Sequence, residues 1–126
     1  MKTTELTCEY LTEQEIFKIT LEGPIDGNRI VATWEYIFRH KLVPEGTKRY
    51  LFDNRMAISV ETFAQHPELG KIYKKHASYF KNARIAVITR CPQIIVSVLS
   101  VQNEFPAILH ERFQTTDGAI AWLAQA

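Results

Sequence analysis

The sequence predicts one α/β domain, residues 1–126, built on a five-stranded, mostly parallel sheet with an N-terminal antiparallel hairpin and the order ββαβαβαβα. Three observations predict it. Two stretches of period-two alternation stand back to back at the start. Beyond them, apolar stripes of helical period alternate with short, strongly apolar β-type runs, the pattern of parallel strands joined by right-handed crossovers. The chain is also 46% hydrophobic and 23% charged over 126 residues, an ordinary globular composition at a length that can bury a core of its own.

Residues 4–11 and 15–22 read as the hairpin strands, joined by the polar turn Thr12-Glu13-Gln14. In the second strand Phe17, Ile19 and Leu21 alternate with Lys18, Thr20 and Glu22, so one face is buried, and Gly23-Pro24 ends it. From Asp26 the period lengthens. Ile30, Val31, Trp34, Ile37, Phe38 and Leu42 fall on one helical stripe. Asp26 or Asn28 can cap its start, and Arg39, His40 and Lys41 sit where the helix dipole favours positive charge. Val43-Pro44-Glu45-Gly46 stops it, and Arg49 to Asp53 follows as a short strand.

Ser59 is read as the start of a brief helix carrying Val60, Phe63 and Ala64, and Pro67 as its restart. Leu69, Ile72, Tyr73, His76, Ala77 and Phe80 continue at helical intervals. Residues 83–89 are apolar enough for a central strand covered on both faces. The segment from Pro92 to Phe105 sets two effects against each other. Its β-branched residues, Ile94, Ile95, Val96, Val98 and Val101, cost a helix roughly 0.5 kcal/mol each, about 2–3 kcal/mol in all. Burying several of them contributes about 1.5–3 kcal/mol apiece. A crossover is also required between two parallel strands, so the segment is expected to be a helix. Residues 107–113 form the last strand, and Thr115 or Thr116 caps a final helix bearing Ala119, Ile120, Trp122 and Leu123.

Charge and motifs narrow the function. Lys and Arg number 15 against 14 Asp and Glu, without the basic excess of a nucleic-acid binder. The longest apolar-rich run, Ile94 to Val101, is too short to span a bilayer, and Met1 to Glu5 is no signal peptide, so a cytoplasmic protein is expected. Cys8 and Cys91 match no metal spacing, and His40, His66, His76 and His110 form no ligand motif. No P-loop, dinucleotide fingerprint or nucleophile elbow is present, and no cofactor, metal or catalytic residue is expected.

The ending Glu111-Arg112-Phe113-Gln114-Thr115-Thr116-Asp117-Gly118-Ala119-Ile120-Ala121-Trp122-Leu123 resembles the closing strand and helix of SpoIIAA-like (STAS) proteins. There a Phe ends the strand, a Ser or Thr caps the helix, and an Ala-x-x-Trp-Leu face closes the core. The element order agrees over nearly the whole chain, and the likeness is greatest to the bacterial STAS/SEC14-like branch. The resemblance implies a non-enzymatic regulatory or protein-interaction module, or alternatively a carrier of a small apolar, lipid-like ligand. In the anti-sigma factor antagonists of the family, a Ser within Asp-Ser-Ser-Gly after the third strand is a phosphorylation switch. The matching stretch here, Phe52 to Glu61, lacks that motif, and Ser59 is its hydroxyl residue.

Ligands in open parallel sheets gather beyond the carboxyl ends of the strands. That edge is expected to collect Asp53, Asn54 and Arg55 from one loop, Arg90 and Cys91 from a second, and Gln114 to Thr116 from a third. The alternative is that Asp53 and Asn54 only shape a turn while the arginines are solvated. Ser59 reads as a helix cap or as a phosphosite, and Cys91 as a structural thiol or one activated at a helix start. Trp34, Phe38, Phe63, Tyr73 and Phe80 would line the carrier's pocket or else fill a solid core. A homodimer through exposed aromatics is compatible with either reading.

Overall fold

The computed structural model describes residues 4–59 and 66–125. Strands β1 (Glu5–Leu11) and β2 (Ile16–Pro24) form the antiparallel hairpin. Its register sets Leu6 opposite Leu21, Cys8 opposite Ile19 and Tyr10 opposite Phe17, so one face is apolar. The other face carries Glu9 opposite Lys18 and Thr7 opposite Thr20. The remaining strands, β3 (Arg49–Ile58), β4 (Arg84–Ile88) and β5 (Leu109–Phe113), add in parallel, giving the order β1-β2-β3-β4-β5.

Helix α1 (Gly27–Arg39) starts where Asp26 accepts the Arg29 N–H at 2.8 Å, so Asp26 is the cap. It ends one turn before Leu42. His40 closes it, Lys41 takes a left-handed φ of 51°, and Val43 rather than Leu42 is turned inward. The helix expected from Pro67 to Phe80 is divided into α2 (Pro67–Lys75) and α3 (Ala77–Phe80). The break is at His76, whose ring stacks flat on Phe38 with centroids 3.8 Å apart. The break also brings Phe80 edge-on to Trp34 at 5.0 Å. The brief helix expected over Val60, Phe63 and Ala64 lies outside the described residues.

Helix α4 (Pro92–Glu104) forms despite its β-branched residues, because Ile94, Val98 and Val101 share one stripe and are buried. Helix α5 (Thr116–Leu123) is capped by Thr115, whose hydroxyl accepts the Gly118 N–H. Two layers of helix enclose the sheet unequally. The larger core joins α1, α2 and α4 to one sheet face and is centred on Trp34, which meets Tyr50, Phe52 and Phe80 edge-on. On the other face, among the described residues, α5 covers β3, β4 and β5 through a cluster of Ile16, Leu51, Ala86, Ile88, Ala119 and Leu123. No helix among the described residues is long and apolar enough to cross a membrane.

One departure bears on the site. Strand β3 was expected to stop at Asp53, but it continues to Ile58 because β2 runs on beside it, with Gly23 paired to Ala57 and Pro24 to Ile58. Beyond Asp53 it has no β4 neighbour, since the β3–β4 pairing ends at Asp53–Ile88. A bulge between the Thr20–Asp53 and Glu22–Met56 pairs gives β3 one residue more than β2 there. Alternation therefore slips by one, and Arg55 and Met56 are both exposed while Ala57 turns inward.

Candidate functional site

The extension of β3 corrects the expected placement of Asp53, Asn54 and Arg55. They lie inside a strand rather than in a loop, and consecutive strand residues point to opposite faces. Leu51 faces α5, so Asp53 shares that face. There Arg55 reaches back over the bulge and grips it with two hydrogen bonds, Nε to Oδ1 at 2.9 Å and Nη2 to Oδ2 at 2.6 Å. The bonds from Arg55 hold the Asp53 carboxyl below the usual carboxylate range, outweighing the opposing effect of burial. Asp53 is buried and Arg55 exposed, so the guanidinium forms a lid over the acid.

Asn54 points the other way, beneath the helices. It is 4% exposed and lines a cavity of about 250 Å³ between the sheet and helices α1, α2 and α4. Phe52 and Val87 of the sheet, Trp34 of α1, Tyr73 of α2 and Val98 of α4 supply apolar walls. Of the aromatics expected to line a pocket, Trp34 and Tyr73 do so. Phe38 and Phe80 pack instead into the aromatic cluster, and Phe63 lies outside the described residues.

The polar groups at the cavity are held by both sequence-distant and local hydrogen bonds. Tyr73 Oη and His110 Nε2 lie 2.9 Å apart, and His110 Nδ1 is 2.9 Å from the Ile108 carbonyl. This geometry fits a neutral imidazole that donates from Nδ1 and accepts the tyrosine hydroxyl at Nε2. Burial lowers the His110 pKa to about 4. His66 Nδ1 is 2.7 Å from Glu104 Oε2, and Ser97 donates to the Gln93 carbonyl at 2.8 Å. Asn54 Oδ1 differs: it is buried and has no hydrogen-bond partner among the described residues.

Cys91 and Ser59 meet at the strand ends. Cys91 flanks the start of α4, and its Sγ lies 3.6 Å from the Ser59 carbonyl and 3.4 Å from Gln93 Oε1. Burial pushes the thiol up, but hydrogen bonds with the backbone of Ser59, Ile94 and Gln93 outweigh it and bring the pKa below the usual thiol value. Ser59 is 5% exposed, and the helix it was expected to cap lies outside the described residues. Arg90 is exposed, and Thr115 serves as the α5 cap. The expected cluster is thus divided between an outer Asp53–Arg55 pair, an Asn54 turned inward, and a Cys91–Ser59 contact. Among the described residues no three His, Cys, Asp or Glu side chains are placed to hold a metal ion.

Sequence reasoning missed His66, Ser97 and His110 at the cavity, and Glu104 as the partner of His66. Their partners, or the cavity itself, lie across crossovers that no local spacing reveals. Asn54 carried a legible signal, since Tyr50 and Phe52 are buried and the next alternate residue shares their face.

No protein-family model matches this chain. None of the curated proteins matches it in sequence. Solved structures do match in shape. An uncharacterized protein of the DUF3478 family with a SpoIIAA-like fold, from Shewanella loihica, superposes with a TM-score of 0.62 over 98% of each chain at 16% identity. An anti-sigma factor antagonist from Mycobacterium paratuberculosis superposes with a TM-score of 0.61 over 96% of this chain and 94% of its own, also at 16% identity. The fold is therefore SpoIIAA-like, as the closing strand and helix implied. At that identity the likeness extends to the fold alone.

Proposed function

We propose that this chain is a non-catalytic regulatory module of STAS type that recognises a protein partner through the outer face of the β3 extension. The observation that carries this reading is the exposure of Met56 and Ile58, 70% and 60%, on a strand that has outrun its β4 neighbour. The bulge sets Met56 on the same face as Arg55, so an apolar contact is bordered by a cation whose charge Asp53 offsets. Two neighbouring apolar side chains with a polar rim are the elements of a small recognition patch. The likeness in fold to an anti-sigma factor antagonist supports a protein as the partner. A binding role is supported over catalysis because Asp53 and His110 are each engaged by internal partners.

The test is affinity capture with the wild-type chain and with a Met56→Lys, Ile58→Lys double variant, followed by titration of any captured protein in purified form. A partner that binds the wild type and is lost by the folded variant supports the reading. Equal binding by both sinks it. A second reading, a carrier of a small apolar ligand, is favoured by the cavity beneath α1, α2 and α4.

A further inference from the structure

We infer that the cavity takes a small, neutral, mostly apolar molecule bearing one hydrogen-bond donor, the class of indoles and phenols, with the donor directed at Asn54 Oδ1. The inference rests on the carrier reading and adds the chemical class of the ligand. Volume sets the size. A cavity of about 150 Å³ accepts benzene, so about 250 Å³ suits roughly ten non-hydrogen atoms. The walls set the polarity: Trp34, Phe52, Tyr73, Val87 and Val98 present carbon surface. Burying a charged group against them would require a counter-ion, and Glu68, the carboxylate in the lining, is solvent-exposed and paired with Lys71.

The donor follows from Asn54. Its amide is 4% exposed, on the sheet face that forms the cavity floor, and Oδ1 has no partner among the described residues. An acceptor left so is destabilising, and a ligand N–H or O–H would relieve it. The Tyr73 hydroxyl and the His110 ring bond each other, and the Ser97 hydroxyl bonds the Gln93 carbonyl.

Titration of the ¹⁵N-labelled protein with indole and with its carbon isostere indene tests this in the wild type. Amide shifts should map to the cavity residues, with indole binding roughly three- to tenfold more tightly, the net value of one hydrogen bond. In a folded Asn54→Ala variant the preference should vanish while indene binding persists. Asn54→Leu, which keeps an apolar side chain in place, provides a second variant if Ala disturbs the strand. Equal binding of both probes, unaffected by the substitution, overturns the donor assignment and leaves the carrier reading standing. Failure of both probes to shift the cavity amides overturns the two together.

Discussion

Replacing His110 by Gln should make stability less sensitive to acid, by an amount the structure sets. His110 is held neutral by burial, with its ring between the Tyr73 hydroxyl and the Ile108 carbonyl. A smaller downward contribution comes from the electrostatic effect of His66. The unfolded chain takes up a proton at this position on passing below pH 6.5, and the folded chain only near pH 4. Between those values the unfolded state holds more protons, so stability falls as pH falls. One proton over that window is worth about 1.4 kcal/mol per pH unit and about 3 kcal/mol in total. Gln can still accept from Tyr73 but does not titrate. Urea unfolding of both proteins at several values from pH 7.5 to 4.5 should show their stability difference moving by about 2.5 kcal/mol in favour of the variant. Carboxylates that also titrate, Asp53 among them, cancel in the subtraction. A constant difference across the range would refute the assignment of a buried neutral imidazole.

Two further substitutions probe the packing and the outer pair. Trp34→Ala removes a side chain that is 1% exposed and touches Tyr50, Phe52 and Phe80, and should cost about 3–5 kcal/mol in denaturant unfolding. Arg55→Ala uncovers a buried carboxylate. Because the guanidinium is half exposed and screened, the loss at pH 7 should be on the order of 1 kcal/mol. The Asp53 carboxyl should titrate at a higher pH in the variant, visible in its side-chain carbon shift, and the stability difference should shrink as pH falls through the wild-type Asp53 pKa.

Local chemistry alone determined most of the fold. Alternation at Phe17, Ile19 and Leu21, the stripe through Trp34 and Ile37, and the Thr115 cap each act within a few residues, so they can be read in order along the chain. The apolar strand over residues 83–89 and the helix beginning at Pro92 were legible because burial outweighs propensity wherever several apolar residues are shielded together. The closing Ala-x-x-Trp-Leu likewise carried the SpoIIAA-like resemblance, with Ala119 and Leu123 packed beneath it. Tertiary structure decided where those signals end and what they surround. Strand β3 runs past Asp53 because β2 lies beside it, and a residue's own sequence neighbours do not encode a partner strand's length. That extension and its bulge turned Asn54 inward and left Met56 in solvent, dividing what reads as one polar loop. The helix breaks at His76 because Phe38, from another element, offers its ring. The cavity and the neutral His110 exist only where three helices and the sheet fail to close completely, since a void belongs to no residue and appears only once its walls have met.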